Sequence, residues 1–542
     1  MALRSGLLEL YGDYTRFAIL LSEPPYSQPD HRRLARLNFD MGEYSRVVGK
    51  NESAVEYYSE VRKHSFDGDG RPYYEMGEGN IFEFSLVASA SCLAKCGEMA
   101  KARRIFREYV DLHSGSDAEK SAFKVRTAGL SRDVGLDPAE CAVYMREAAQ
   151  AMEGEEGGSI VAAELYNQEG ICWYNASPIT DTDGTDEQDE NEAGRLGRTF
   201  EANELQAFEN ALKILGKCDG KTEKEMDLKP SLHSNIGECY MRQERYDVAL
   251  WHYKEAVDAF ERLFASGFFI GKSKSEQEPY IFQYGLCFKT MGDIYNELND
   301  NSNCAEALTK AIEVMEKMDN PAARNELAGC LNARGVVNFR LGDYRKNVED
   351  ATRAIAIKKG EDGGEINMAI MLKNRSDAYR ELGDFRSMQS DLSESIGLLD
   401  KSKLPDELLG SFYGSHWFSM GICQEGLNKN GKAADAYRKA AGYMDKSLEI
   451  DDSGAYMKAL CHFRRAVCLC RREEQEYYGA LYEYDKAIKL LEKMPASDEK
   501  NENLRQLLTS RGSLYEAFRE IDLARADFVR AESLRTSGAQ SE

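Results

Sequence analysis

The feature that most constrains this chain is an order of small and aromatic residues that recurs along it. In the clearest copy, residues 232–257, this order runs from Gly237 through Tyr240, Tyr246, Ala249 and Tyr253 to Ala256. A small residue on a first helix lets the second helix approach closely, and aromatic side chains fill the gap between adjacent units. Neither helix buries its apolar face alone, so such units need stacked runs of about three or more.

The same register gives eleven candidate units. Beyond Gly237, its small residues are Ala90, Ala128, Gly170, Gly292, Gly335, Ser376, Gly421, Ala466 and Gly512. A weaker first copy runs from Ala35 through Gly42 and Tyr44 to Ala54 and Tyr58. The order resembles the tetratricopeptide repeat (TPR) from about residue 31 to residue 535. The resemblance implies an all-α, right-handed superhelical α-solenoid of about eleven helix-turn-helix units.

The spacing between units predicts long helices. Gly335 and Ser376 are 41 residues apart and the next three intervals are 45, 45 and 46 residues, against about 34 in the standard repeat. The extra residues fall around 360–365, 401–407 and 492–500, which hold the Gly, Pro and Asp that end helices. We expect each helix to be about one turn longer than usual. In spacing, the chain resembles TPR arrays of the kinesin light chain and bacterial peptide-receptor types, without a subfamily being identified.

Repeat quality divides the chain into four predicted segments. They are a capping segment at 1–30, degenerate units at 31–216 with an acidic insertion at 178–200, a better-matched array at 217–535, and a disordered tail at 536–542.

Charge and hydropathy narrow the class of partner and the compartment. The net charge of -23 argues against nucleic-acid binding. Asp and Glu outnumber Lys and Arg, so the surface lacks the excess cations that would displace the counterions of a nucleic acid. The first 21 residues contain only a five-residue apolar run, Phe17 to Leu21, and no later run approaches the length of a membrane span. We therefore expect a cytoplasmic protein that binds neither nucleic acid nor membranes. Its oligomeric state is not predictable.

The positions of the cysteines and histidines indicate structural roles rather than catalysis or metal binding. An odd count of 13 cysteines indicates free thiols, and five of them lie two residues after a small position, where a small buried residue belongs. These are Cys92, Cys172, Cys239, Cys423 and Cys468. No zinc set, HExxH, GxSxG or phosphate-binding loop is present, so the prediction is no metal, no cofactor and no enzyme. An alternative is an enzyme whose site is hidden between distant repeats.

Two insertions interrupt the register. Thr180 to Gly194 carries seven acidic residues and is expected to form a solvated, mobile loop. It resembles a calcium loop at several positions but has Asp186 where glycine is obligatory. The second insertion, Ser266 to Pro279, carries Phe268, Phe269 and Ile270, which we expect to pack over their own repeat. The alternative is a tip that docks a partner.

The resemblance to TPR arrays implies a concave groove lined three residues before, one after and four after each small position. That rule places a polar centre at Lys289, Asp293, Asn296, Asn332, Phe339, Lys373, Asp377 and Arg380. It also places an apolar floor at Phe418, Ile422, Phe463 and Val467. Such a surface suits an extended or helical peptide, and Asn332, Lys373 and Arg380 are the central candidates.

The chaperone-binding carboxylate clamp of the family is broken here. Asp293, Ala333 and Ile370 stand where the family clamp needs Asn, Asn and Lys. The sequence therefore favours a protein- or peptide-binding scaffold that uses the groove. A co-chaperone, a peptide-sensing regulator and a spacer in a larger assembly remain alternatives.

Overall fold

A computed structural model describes residues 31–65, 81–112, 121–155, 157–177, 187–218, 222–359, 364–402, 405–445, 452–471, 476–495 and 497–537. These residues form 22 α-helices, which confirms the all-α prediction. In chain order they are α1 His31–Val47, α2 Asn51–His64, α3 Ile81–Lys95, α4 Met99–Leu112, α5 Ser121–Asp133, α6 Pro138–Glu153, α7 Ser159–Ala176, α8 Glu187–Leu215, α9 Glu223–Arg242, α10 Tyr246–Ala265, α11 Lys274–Glu297, α12 Asn301–Met315, α13 Pro321–Arg340, α14 Tyr344–Lys358, α15 Glu365–Glu381, α16 Phe385–Leu399, α17 Asp406–Gly426, α18 Asn430–Met444, α19 Asp452–Cys470, α20 Tyr477–Glu492, α21 Asp498–Ala517 and α22 Ile521–Ser537.

The helices form eleven pairs, each an odd-numbered first helix packed against the even-numbered second helix that follows it. The pairs belong to two compact units that divide between Gly271 and Lys272. The first unit holds pairs one to five (α1 to α10), and the second holds pairs six to eleven (α11 to α22). In the first unit, one continuous apolar core runs from Phe82 to Cys239. The division at residue 216 rested on repeat quality and stays a prediction.

Close approach of the paired helices follows the predicted small positions. A Cβ atom added to Gly170 or Gly421 would lie 2.4 Å from the ring of Phe208 or Tyr437 on the second helix. At Gly42 the corresponding distance to the ring of Tyr58 is 2.5 Å, so Gly42 is the small position of the first pair. These glycines are required by packing, because any side chain would overlap a buried ring.

The turn inside each pair has a repeating backbone conformation. Seven residues after the small position, φ is positive in nine of the ten pairs in which that residue is described, the left-handed conformation that ends many helices. Five of these positions hold glycine: Gly49, Gly97, Gly135, Gly342 and Gly383. The other four hold Glu244, Asn299, Asn428 and Arg519, with φ between 56° and 65°. The residue type varies while the turn geometry is kept.

Helix lengths correct one expectation. The second helices α14, α16 and α18 have 15 residues each, whereas the first helices α13, α17 and α21 have 20 or 21. The expectation that both helices of a pair gain a turn was therefore wrong. The extra residues lengthen the first helices, and Asp406, inside the predicted connection 401–407, already belongs to α17.

The acidic insertion is partly helical rather than a loop. Helix α8 begins at Glu187 and has 29 residues, so residues 187–194 extend the helix towards its N-terminus. Glu, Gln and Ala are good helix formers, and acidic side chains near an N-terminus interact favourably with the helix dipole. Residues 180–186, the candidate calcium-loop start among them, lie outside the described residues, as do the predicted capping segment 1–30 and residues 538–542 of the tail.

The phenylalanines of the second insertion pack on their own pair, as expected. Phe268 is buried, its ring lies edge-on to Phe269 with centroids 4.9 Å apart, and Phe269 contacts Phe264 of α10 at 5.6 Å. Ile270 is 87 % exposed. Among the helices described, none combines the length and apolar character that a membrane crossing demands.

Candidate functional site

The first helices form the inner side of each unit. Within both units, first helices of consecutive pairs approach one another more closely than second helices do. Residues at matching register on neighbouring first helices therefore share one face. In the second unit this face carries the predicted groove residues.

Neighbouring first helices are joined across this face by hydrogen bonds. Arg340 donates from Nη1 to Oδ1 of Asn296 at 2.6 Å, and Asn374 donates from Nδ2 to Oδ1 of Asn332 at 3.3 Å. Both bonds link one pair to the next, and all four side chains are at least partly exposed. We use the term central groove for the eight residues Lys289, Asp293, Asn296, Asn332, Phe339, Lys373, Asp377 and Arg380.

The cations of the central groove already have anionic partners. Lys373 Nζ lies 2.7 Å from Asp377 Oδ2, and Lys289 Nζ lies 3.2 Å from Glu326 Oε2. Arg380 pairs with the adjacent Glu381 at 2.8 Å. The lysine and arginine candidates are held in place, and a charged ligand would have to compete with these partners.

Charges around Lys289 reinforce its pairing. Burial alone would lower the pKa of the Lys289 ammonium, but Asp293 and Glu326 more than offset it and raise that pKa. Lys289 therefore stays charged at neutral pH. Its pairing with Glu326 of α13 connects pairs six and seven on the inner face.

One acceptor in the central groove has no hydrogen-bond partner. Asp377 Oδ2 receives Lys373, while Oδ1 is buried without a partner. A buried oxygen left without a donor carries a desolvation cost, and its burial keeps it from direct contact with a ligand.

The apolar floor lies further along the same face. Phe418 packs 5.5 Å from the ring of Tyr437, and Phe463 packs 6.2 Å from the ring of Tyr484. Phe418, Ile422, Phe463 and Val467 all remain partly exposed, and we call these four residues the apolar end. Phe339, predicted as an anchor in the central groove, contacts Tyr344 of its own pair at 5.2 Å.

Sequence reasoning missed several inner-face residues. Asn374 lies two residues before its small position and Arg340 lies five after its own, and neither offset was in the rule used to choose candidates. Asn235 donates to Asn167 at 3.1 Å in the first unit, at the register of the Asn374 to Asn332 bond. This repeated amide pair was a signal that the sequence offered.

A second ladder of polar contacts joins helices within and between pairs. Arg334 donates from Nε and Nη2 to both carboxylate oxygens of Asp350, and from Nη1 to Thr309 of the preceding pair. The same set recurs one pair later with Arg375, Asp391 and Thr352. In pair eleven it recurs with Arg511, Asp527 and Asp485. We call these residues the arginine ladder. Each set joins a first helix to the second helix of its own pair and to the second helix of the pair before it.

Thiols are buried as the repeat register predicted, and four imidazoles, those of His233, His252, His416 and His462, are buried as well. The five cysteines two residues after a small position are all buried, and burial raises the pKa of Cys172 and Cys423 to about 11. Burial lowers the pKa of both His233 and His252, which face each other 3.2 Å apart, to about 4. No three potential metal ligands cluster in the part of the chain that the structure describes.

Comparisons with known proteins give distant structural likenesses. No protein-family model matches the chain, and no curated protein matches it in sequence. Solved structures similar to it include yeast Tom70 (13 % identity, 94 % of this chain and 97 % of that chain, TM-score 0.30). Aspartyl phosphate phosphatase F from Bacillus subtilis is similar at 13 % identity over 77 % and 94 %, with a TM-score of 0.36. BtubC from P. vanneervenii is similar at 15 % identity over 50 % and 92 %, with a TM-score of 0.33.

These likenesses are too distant to carry an argument about function. The TPR-like character rests on the chain itself, on its eleven helix pairs and the register of small residues, facing rings and left-handed turns. The described residues form a TPR-like repeat protein.

Proposed function

We propose that the chain is a non-catalytic scaffold that binds a segment of a partner protein along the inner face of its second unit. The observation that carries the proposal is the continuous row of partly exposed polar side chains on consecutive first helices. Hydrogen bonds between pairs hold this row in place, and the partly exposed apolar end follows it. Preorganised groups lose little side-chain entropy when a ligand binds, which favours affinity.

Backbone recognition suits the chemistry of the central groove. Amide side chains both donate and accept hydrogen bonds, as a peptide backbone does. The paired lysines would add specificity by rejecting ligands that cannot replace their partners. We infer a ligand recognised mainly through its backbone at the centre and its side chains at the apolar end.

The test is affinity capture from an extract of the source cells. The bait is the intact chain beside the double variant Lys373→Glu and Arg380→Glu, with captured proteins identified by mass spectrometry. We expect a partner of the intact chain to be lost with the variant, because two cations of the groove become anions. Asn332→Ala serves as a milder variant if the double variant unfolds, and it should weaken capture at least several-fold.

A matched control makes the same charge change on second helices. Arg386 and Arg438 are exposed on α16 and α18, so Arg386→Glu with Arg438→Glu should leave capture unchanged. Equal loss with both double variants would mean a general charge effect. Equal capture with all of them would move binding away from the inner face and overturn the proposal.

The enzyme alternative has less support. Burial raises the pKa of the thiols at the repeat positions, which makes them poor nucleophiles at neutral pH. His233 and His252 contact each other and aromatic rings rather than a nucleophile. Co-chaperone binding through a carboxylate clamp is disfavoured because Asp293, Ala333 and Ile370 replace residues that the clamp needs.

A further inference from the structure

Pair seven has no ring at a register position where both other pairs of the arginine ladder have one. Three residues after the small position, pair eight carries Tyr379 and pair eleven carries Tyr515. Pairs five and six have Tyr240 and Tyr295 at the same position. Pair seven has Asn338, which is buried and donates from Nδ2 to a carboxylate oxygen of the ladder at 3.2 Å. An amide therefore stands where a phenol ring is expected.

The ring at this position lies beside the guanidinium group of the ladder arginine. In pair eight, Cζ of Arg375 is 5.9 Å from the centre of the Tyr379 ring. In pair eleven, Cζ of Arg511 is 5.7 Å from the centre of the Tyr515 ring. Arg334 of pair seven makes the corresponding in-plane hydrogen bonds, which use the edges of its guanidinium group. The flat faces of that group are the surfaces that stack on aromatic rings, and pair seven supplies no ring of its own at this position.

An open pocket of about 480 Å³ lies beside Arg334. Its volume is within the range of pockets that bind small molecules. Exposed acidic and basic side chains both stand around its mouth, so neither sign of ligand charge is selected. We use the term ring pocket for the five wall residues that the following argument needs: Ala305 and Thr309 of α12, Arg334 and Asn338 of α13, and Asp350 of α14.

Tyr240 of pair five shows where a phenol at this register lies. Its ring stacks on His252 with centroids 5.7 Å apart, and His252 has the register of Asp350 in pair seven. Its hydroxyl donates to Oε1 of Glu209, on the second helix of the preceding pair, at 3.1 Å. Glu209 and Thr309 each directly follow the residue that faces a small position. A phenol in the ring pocket would thus lie beside Asp350 with its hydroxyl towards Thr309.

We propose that the ring pocket binds the phenolic ring of a ligand. The ring stacks on the guanidinium group of Arg334, as in a cation–π contact. Its hydroxyl donates to Oγ1 of Thr309, which accepts one hydrogen bond from Arg334 and has capacity for another. A free phenol and a tyrosine side chain of a partner protein share this chemistry. The ring pocket has no residue in common with the central groove, so this inference goes beyond the proposed function.

The experiment is saturation-transfer-difference NMR on the intact chain. The first probe is p-cresol, which is the tyrosine side chain without its backbone, and the second is the capped tripeptide acetyl-Gly-Tyr-Gly-amide. We expect p-cresol to bind with a dissociation constant of about 1 mM or less, as a ligand of so few atoms allows. The comparison compound 4-methylcyclohexanol has a similar size and a hydroxyl but no aromatic face, so it should bind at least about 3-fold more weakly.

Variants assign the signal to the ring pocket. Asn338→Tyr supplies the ring that the other ladder pairs have and should weaken p-cresol at least about 10-fold, because the pocket is filled. Asn338→Ala leaves the space open and should keep the affinity within about 3-fold. The matched control Asn325→Tyr adds the same ring at an exposed position of α13 and should leave the affinity unchanged. If circular dichroism shows that Asn338→Tyr does not fold, Ala305→Leu narrows the pocket from α12 and should also weaken p-cresol.

The outcomes decide the inference and the source of the ring. Binding of the tripeptide as well as p-cresol would support a tyrosine side chain of a partner, and binding of p-cresol alone would support a free phenol. No transfer to either probe at about 10 mM, or equal binding to the parent and to the filled variants, would overturn the inference. Equal affinities for p-cresol and 4-methylcyclohexanol would overturn the stacking on Arg334.

Discussion

The two units bury charged residues in different ways. In the second unit, Asp350, Asp391 and Asp527 each bind one arginine through both carboxylate oxygens. In the first unit, Glu169 and Glu204 each bind an arginine through Oε1, while Oε2 is buried without a partner. These three aspartates of the second unit are therefore satisfied more completely than Glu169 and Glu204 of the first.

The register of these pairs explains the difference. In the arginine ladder, the arginine stands one residue before the small position and the aspartate fifteen after it, so each of these three pairs carries its own set. In the first unit, Glu169 bonds to Arg146 of the preceding pair and Glu204 to Arg242 of the following pair. Those contacts follow no common register. Repeats that match the pattern well place the arginine and its carboxylate at the same register positions. Degenerate repeats place their buried ion pairs at different positions.

Net charge separates the units as well. Residues 1–271 contain 31 Lys and Arg against 48 Asp and Glu, a net charge of -17, whereas residues 272–542 contain 39 against 45, a net charge of -6. A nearly balanced second unit can present local surpluses of either sign. The central groove, whose cations are paired with carboxylates, lies there.

Acidification should unfold the first unit before the second. This loss of stability is the largest effect we expect. His233 and His252 have a folded-state pKa of about 4 because burial disfavours their charged forms, whereas an unfolded histidine titrates near 6.5. Both are neutral when folded, so their contribution is complete above about pH 6.5 and is lost as the pH falls towards 4. The loss is up to about 3 kcal/mol for each histidine.

Tryptophan fluorescence reports this transition locally. Trp251 packs against His233 and His252, and Trp417→Phe removes the one tryptophan of the second unit. Thermal unfolding at pH 7.5, 5.5 and 4.5 should show the first unit losing stability steeply. His233→Asn with His252→Asn should flatten this dependence, and equal slopes for the variant and the parent would contradict the assignment. In the second unit, burial also lowers the pKa of His416, but hydrogen bonds to two backbone carbonyls oppose that shift.

Removing one buried carboxylate should lower the free energy of unfolding more in the second unit than in the first. We expect this difference to be smaller than the one caused by acidification. Asp391→Ala leaves Arg375, 15 % exposed, without its bidentate partner, and we expect a loss of about 3 to 5 kcal/mol. Glu169→Ala leaves Arg146, 38 % exposed, free to turn to water, and it also removes an unpaired oxygen. We expect a loss of at most about 2 kcal/mol there, mainly from the hydrogen bond of Trp173.

Urea unfolding with hydrogen exchange measures both losses and locates them. Asp391→Ala combined with Arg375→Met should recover part of the stability, because an apolar chain replaces the unpaired charge. If Glu169→Ala proves as costly as Asp391→Ala, the two units do not differ in how well their buried charges are satisfied.

The sequence predicted the fold because small residues and rings are fixed by contact. A side chain at Gly170 or Gly421 would overlap the ring of Phe208 or Tyr437. The spacing between the small residue and the ring can therefore be recognised in the sequence alone. Helix lengths were less predictable, since the extra residues between units could extend either helix of a pair. Residues 187–194 were misjudged because a run of acidic residues suggests a solvated loop, while the same residues suit the start of a helix.

The sequence predicted which residues lie at the candidate site. It did not predict which of them form ion pairs or hydrogen bonds with one another. The register rule placed Lys373 and Asp377 on the inner face, yet it could not show that Lys373 bonds to Asp377, because rotamers decide that contact. Asn374 and Arg340 were missed since they lie outside the three offsets of the rule, and only the contacts between neighbouring first helices reveal them.

Substitutions in the left-handed turns should change stability least of all. They test whether the two units share the same turn geometry. Glu244 in the first unit and Arg519 in the second have φ of 58° and 65°, where a residue with a Cβ atom is strained and glycine is not. Both side chains are exposed. Glu244→Gly and Arg519→Gly should each stabilise the protein by about 0.5 to 1 kcal/mol, after the greater freedom of glycine in the unfolded chain is offset.

Matched changes in the opposite sense complete this test. Gly135→Ala in the first unit and Gly383→Ala in the second, at φ of 63° and 74°, should each destabilise by about 1 kcal/mol. The midpoint of urea unfolding measures all four variants. Effects of the same sign and size in both units would show that they share the turn and differ in their buried charges. A glycine substitution that stabilised only one unit would mean that the other turn is held by contacts of its side chain rather than by backbone geometry.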